Sequence, residues 1–157
     1  MAAFLPHTIL IRPAQPDDAA TLSEIAVRSK AFWGYDAAFM AACRDDLRIS
    51  PAKIRCQTVG VAVAEARLVG FYALRDYAER GELTDLFVAP EWIGRGVGKR
   101  LWQHAVAQAR TQGLRWLDLQ SDPHAESFYR AMGAWRIGES ESTVFAGRLL
   151  PLMRYDL

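Results

Sequence analysis

The chain has 157 residues, 51% hydrophobic and 24% charged, which is long and apolar enough for a core of ordinary size and fits a single globular domain over residues 1–157. Its net charge of +1 supplies no basic field for nucleic acid, and it contains no run of 18 apolar residues to span a bilayer. The start, MAAFLPHTILIRP, meets Pro6 and His7 before an apolar stretch forms, so it does not read as a signal peptide and the expected location is the cytoplasm. Cys43 and Cys56 lack C-x-x-C spacing and read as two reduced thiols.

In chain order, Thr8 to Arg12 reads as a first strand, and Pro16-Asp17-Asp18 opens a helix carrying Leu22, Ile25 and Ala26. A second helix is expected from about Asp36 to Leu47, ending before Ser50-Pro51. Val59 to Ala64 and Leu68 to Leu74 form a hairpin around Glu65-Ala66-Arg67, and Glu82 to Val88 a fourth strand. A long amphipathic helix runs from Gly96 to about Gln112, with Val97, Leu101, Ala105 and Val106 on its core face, and stops at Gly113. Arg115 to Leu119 is a fifth strand, parallel to the fourth because a helix crosses between them. A short helix from near Pro123 to Gly133 and strands at Trp135 to Thr143 and Leu149 to Tyr155 complete the chain.

The most informative stretch is GELTDLFVAPEWIGRGVGKRLWQHAVAQAR, residues 81–110, a strand that enters a glycine loop and then a helix. Gly94, Gly96 and Gly98 clear side chains from a turn whose first helical N–H groups stay free, and the helix dipole with Arg95, Lys99 and Arg100 adds positive charge. A phosphate or diphosphate is the natural guest. The loop is not a Walker loop: only three residues separate Gly94 from Gly98, and Arg100 stands where a magnesium-binding Ser or Thr is needed. Nor does it match G-x-G-x-x-G, whose third glycine falls one place later, although Asp118 lies at about the ribose-binding distance. His7, His104 and His124 share no zinc spacing, so no metal is expected.

Read as E-L-x-x-L-F-V-x-P, then x-G-R-G-V-G-K-R-L, then S-D-P-H-A-E-S-F-Y-R-A-M-G-A, the segments between Gly81 and Ala134 resemble the acetyl-CoA-binding core of the GNAT N-acetyltransferase superfamily. That family's Q/R-x-x-G-x-G/A signature aligns with Ile93-Gly94-Arg95-Gly96-Val97-Gly98, with Ile93 in place of the polar first residue. The resemblance implies an α+β fold, a mixed sheet of six or seven strands with helices on both faces and a V-shaped splay between strands four and five. It implies that Gly94 to Lys99 wrap the coenzyme A diphosphate and that the backbone of Leu86, Phe87 and Val88 pairs with the pantetheine amides. The uneven apolar spacing of GELTDLFV fits a bulge near Asp85 or Leu86 that would open the sheet there.

Amine acetylation needs a base for the ammonium, a polarised thioester carbonyl and an acid for the leaving thiolate. The resemblance points to Glu82 as base, with Asp85 as the fallback, and to Tyr129 as acid; Phe128 joins Tyr129 among the cofactor contacts, and of the two neighbours Phe128 reads more naturally as the core aromatic. The family's Asn is Asp122 here, a residue able to cap the helix carrying Tyr129 but repulsive to phosphates. Phe32, Trp33 and Tyr35, on the turn between the first two helices, are candidate walls of the acceptor pocket or a packing cluster. The expected activity is direct acetyl transfer from acetyl-CoA to a primary amine of a small molecule or protein in a ternary complex. The alternative is a catalytically silent acyl-CoA sensor or scaffold. No nucleic-acid or membrane partner is expected, and a homodimer is left open.

Overall fold

The protein is described from a computed structural model covering residues 8–157. His7 and the reading of the first residues lie outside the described residues.

Seven strands form one sheet in the order β1-β2-β3-β4-β5-β7-β6. They are β1 (Leu10–Pro13), β2 (Thr58–Ala64), β3 (Arg67–Tyr77), β4 (Arg80–Val88), β5 (Trp116–Gln120), β6 (Trp135–Glu141) and β7 (Leu149–Asp156). Every neighbouring pair is antiparallel except β4–β5, which is parallel. The helix α4 (Val97–Thr111) makes that crossover, as the alternation of segments requires. The remaining helices are α1 (Ala19–Ala31), α2 (Ala37–Cys43), α3 (Pro51–Cys56) and α5 (Glu126–Ala131).

Two apolar layers sandwich the sheet, and strand periodicity assigns side chains to each. Val59 and Val61 of β2, with Phe71 and Ala73 of β3, face Leu22, Ile25 and Ala26 of α1 and Ile54 of α3. Their alternates, Ala62, Ala64, Tyr72 and Leu74, face Val97, Leu101, Trp102, Ala105 and Val106 of α4. The close approach of β2 to β3 depends on Gly60, where a Cβ would stand 2.4 Å from the Tyr72 ring. The β2–β3 turn is tight enough to hold Glu65 and Ala66 both at positive φ.

The second helix differs from its expected span. Asp36 caps α2, accepting from the Phe39 amide at 2.8 Å, but the helix ends at Cys43 rather than Leu47. Ser50-Pro51, read as a stop, is a start: the Ser50 hydroxyl accepts from the Lys53 amide at 3.0 Å and Pro51 occupies the first turn of α3.

Candidate active site

Strands β4 and β5 pair only at Arg80–Trp116, Gly81–Leu117 and Glu82–Asp118. The closed end is braced by the buried Asp118 carboxylate, which accepts two bonds from Arg154 of β7 at 2.7 and 3.0 Å. Beyond Glu82 the strands separate. On its other side β4 stays hydrogen-bonded to β3 through Val88, with Thr84 unmatched between the pairs Leu74–Leu83 and Ala73–Asp85. The bulge therefore lies at Thr84, next to Asp85, where the uneven apolar spacing put it. The Thr84 hydroxyl stands 2.8 Å from the Asp85 carboxylate and 3.3 Å from Ala73 O, and its single proton goes to the nearer, charged acceptor.

The splay opens into a cavity of about 950 Å³ that runs from the glycine loop to the β6–β7 connection. At one end are Gly94, Gly96, Gly98 and Lys99. Gly94 and Gly96 have φ of 80° and 84°, and a Cβ at either would meet nothing within 4 Å, so the backbone faces open space. The first bond of α4 runs from Arg100 N to Gly96 O, which leaves the amides of Val97, Gly98 and Lys99 without intrahelical acceptors. The Val97 side chain is in the core, so only its amide is available. A Cβ on Gly98 would sit 3.3 Å from Phe128, whose ring closes over this turn. Arg95 stacks over Trp92 at 4.8 Å, and Arg100 is turned away, donating to Ile9 O at 2.9 Å. Of the three expected cations, Lys99 alone lines the cavity. Leu86, Phe87 and Val88 line its middle, where their backbone edge towards β5 carries no ladder. These features fit a diphosphate followed by an amide-bearing arm.

Tyr129 and Glu82 line the same cavity. Tyr129 is 7% exposed, packed edge-on to Trp102 and Phe128. Burial, reinforced by the charges of Asp85 and Asp122, raises its phenol well above the ordinary value. Asp85 is buried in an ion pair with Lys53 Nζ at 2.5 Å and accepts from Thr84 at 2.8 Å, so the fallback base is already committed to a cation.

Asp122 behaves unlike an unshielded carboxylate. It accepts from Lys30 Nζ at 2.5 Å, from Tyr35 Oη at 2.9 Å and from the His124 amide at 2.9 Å. Burial alone would raise its carboxyl; the Lys30 bond and charge, with the His124 and Tyr35 bonds, outweigh this and hold it below the usual range. The repulsion of phosphate expected from the sequence is thus offset by Lys30. Tyr35, pushed up to about 12 by burial and then by Asp122, serves this network and is not among the cavity-lining residues. Trp33 lines the cavity and stacks on His124 at 5.3 Å. Phe32 is 51% exposed against the edge of Trp33 and does not line the cavity.

Sequence reasoning missed Lys30, Lys53, Arg75, Asp46 and Arg148, which line the same cavity. Ser50-Pro51 could have found α3 and hence Lys53; nothing local marks Arg148. Among the described residues no group of three His, Cys, Asp or Glu side chains could hold a metal, and no helix is long and apolar enough to cross a membrane.

Residues 21–134 match the model of the acetyltransferase (GNAT) family. The chain belongs to that family. A relative, the 5-NmdU N-acetyltransferase of Pseudomonas phage PaMx11, is 28% identical over 134 residues, covering 84% of this chain and 91% of the relative. Among solved structures, a GCN5-related N-acetyltransferase from Rhodopseudomonas palustris superposes with a TM-score of 0.79 at 23% identity, over 99% of this chain and 100% of that one. The PaiA N-acetyltransferase of Thermoplasma acidophilum, solved in complex with coenzyme A, gives 0.75 at 21% identity, over 96% and 99%. The GNAT fold and an acyltransferase of the N-acetyltransferase class follow.

Proposed function

We propose that the protein transfers the acetyl group of acetyl-CoA directly to a primary amine, within a ternary complex and in a single domain. The observation that carries this reading is the splay itself. One cavity joins the free amides of the α4 turn, the unladdered edge of β4, and the side chains of Glu82 and Tyr129.

In the proposed complex the diphosphate lies on the amides of Gly94 to Lys99, and the pantetheine arm pairs with Leu86 to Val88 as an added strand. Glu82, directly or through water, takes a proton from the acceptor ammonium, which ordinarily titrates near 10. The freed nitrogen attacks the thioester carbonyl, a C–N bond forms, and the C–S bond breaks to leave a thiolate. Tyr129 donates its O–H towards that sulfur. Its raised phenol makes complete transfer to a thiol-like leaving group, of pKa about 8.5, uphill. Its main contribution is therefore a hydrogen bond that stabilises the developing thiolate, with the proton made up from the one the amine sheds.

A screen of primary amines, read by release of free coenzyme A, tests the reading. Turnover with at least one amine, following saturable acetyl-CoA binding, supports it. Acetyl-CoA binding without coenzyme A release on any amine would favour a silent acyl-CoA module.

A further inference from the structure

The far end of the cavity carries four cations and four carboxylates in an uneven arrangement. Lys30 is closed onto Asp122 and Lys53 onto Asp85, so two pairs are internally neutral. Glu82, Asp46, Arg75 and Arg148 line the same space without an ion-pair partner among the described residues. Asp46 accepts a long bond from Thr143 at 3.4 Å, and Arg75 donates to Tyr77 Oη at 3.0 Å from an exposed position beside Glu82.

Arg148 is the better placed of the two free arginines. It sits half-buried at the end of the β6–β7 connection, donating one N–H to Tyr35 Oη at 3.0 Å. Its guanidinium lies 4.9 Å from the Phe39 ring centre and 5.5 Å from that of Tyr35. Tyr35 stacks on Phe39 at 4.0 Å and Phe39 on Phe145 at 4.6 Å, so the loop bearing Arg148 is clamped onto α2. One N–H of five is used within the protein, and the two ring contacts hold the guanidinium against the wall. A planar fork held in place at a cavity wall matches an oxyanion.

We propose that the acceptor is a small amine carrying its own carboxylate or phosphate, its oxyanion held by Arg148 while its ammonium is drawn to Glu82. This rests on the acetyl-transfer reading above and narrows its substrate class. A polyamine calls for carboxylates alone, whereas half of those at this end are spent on lysines and the remaining two stand beside two unpaired arginines; an acceptor bearing both charges finds free partners of both signs.

Coenzyme A release is measured with β-alanine against β-alaninamide, O-phosphoethanolamine against ethanolamine, and spermidine. The oxyanion member of at least one pair should exceed its neutral partner by about tenfold or more in kcat/KM, with spermidine poorer still. The two pairs separate carboxylate from phosphate. Arg148→Gln should bring that ratio towards one, mainly through KM, and Arg148→Lys should retain part of it. A persisting acetyl-CoA heat shift in both variants shows that the fold has survived. Preference for spermidine or the neutral partners, or an unchanged ratio in Arg148→Gln, overturns the proposal. Absence of turnover with every amine would count against the acetyl-transfer reading, and titration of β-alanine and O-phosphoethanolamine into the coenzyme A-bound protein then decides the anion site. Binding weakened about tenfold by Arg148→Gln upholds it, and no binding of either probe sinks it.

Discussion

The two ends of the cavity are built from different materials. The glycine-loop end is backbone: amides at the start of α4, positive-φ glycines, and an unladdered strand edge, with Lys99 as its single lining cation. The acceptor end is side chain: two ion pairs, a three-ring stack and free groups of both signs, drawn from α1, α2, α3, β4 and the loop before β7. Backbone sites are generic and tolerate drift in side chains, whereas side-chain sites are particular to one chain. Under the proposed function, the first end takes the donor and the second selects the acceptor.

Substitutions at each end should break this contrast in different observables. The largest effect is expected at Glu82. Glu82→Gln should lower kcat by about 10²–10⁴ with acetyl-CoA affinity nearly constant, and the rate should recover at high pH where the amine deprotonates unaided. Wild-type turnover at neutral pH in this variant would move the base to water, since Asp85 is held by Lys53.

At the backbone end, Gly96→Asp adds a negative charge and a side chain at φ 84°. Acetyl-CoA at about 100 Kd stabilises a protein by about 2.7 kcal/mol, and that heat shift should vanish in the variant. An undiminished shift would remove the loop from the donor site.

Tyr129→Phe keeps the ring packing against Trp102 and should lower kcat by about ten- to a hundredfold, less for donors with a more acidic thiol. Because the phenol is raised by burial, the wild-type pH–rate profile should show no falling limb up to about pH 10. A limb there that disappears in Tyr129→Phe would contradict the buried, protonated phenol.

The smallest change is expected from Asp122→Asn, which leaves Lys30 beside a neutral amide. Both side chains are about one-seventh exposed, at 15% and 14%, so a cost of roughly 1–3 kcal/mol is expected, below that of breaking a fully buried pair. The carboxyl is held low when folded, so its contribution is present above the ordinary value near 3.9 and is lost as pH falls through the folded value. Thermal melts of the variant should therefore converge with wild type under acid conditions; a constant gap from pH 7 down to 2 would assign the loss to packing.

What was legible in the sequence follows the same division. The glycine loop, the α4 core face and the parallel crossover are local patterns, and the structure keeps them at Gly94 to Gly98, at Leu101 and Ala105, and at Arg80 to Glu82. Asp122 was visible as a departure from the family's Asn, yet its neutralising partner Lys30 lies 92 residues earlier and no local pattern joins them. Arg100, read as a phosphate cation from its place beside Lys99, is one residue further round the helix and turns to Ile9. Helix start and stop signals share residue types, which is why Ser50-Pro51 was read in the wrong sense and α3, with Lys53, stayed hidden.

The unmatched Thr84 sets the phase of everything after it in β4. Leu83 and Leu86 pack in the same layer, against α4, although an odd separation in a regular strand would put them on opposite faces. Asp85 and Phe87 point the other way, to Lys53 and to the layer beneath α1. Removing this one residue would restore the regular pleat with Leu83 and Leu86 still against α4 and Asp85 and Phe87 still on the α1 side, since their separations become regular; what is lost is the extra residue that bends β4 where it parts from β5. Position 84 should thus accept an exchange such as Thr84→Ser yet reject deletion, so that chain length at this point, more than residue identity, is what the active site requires.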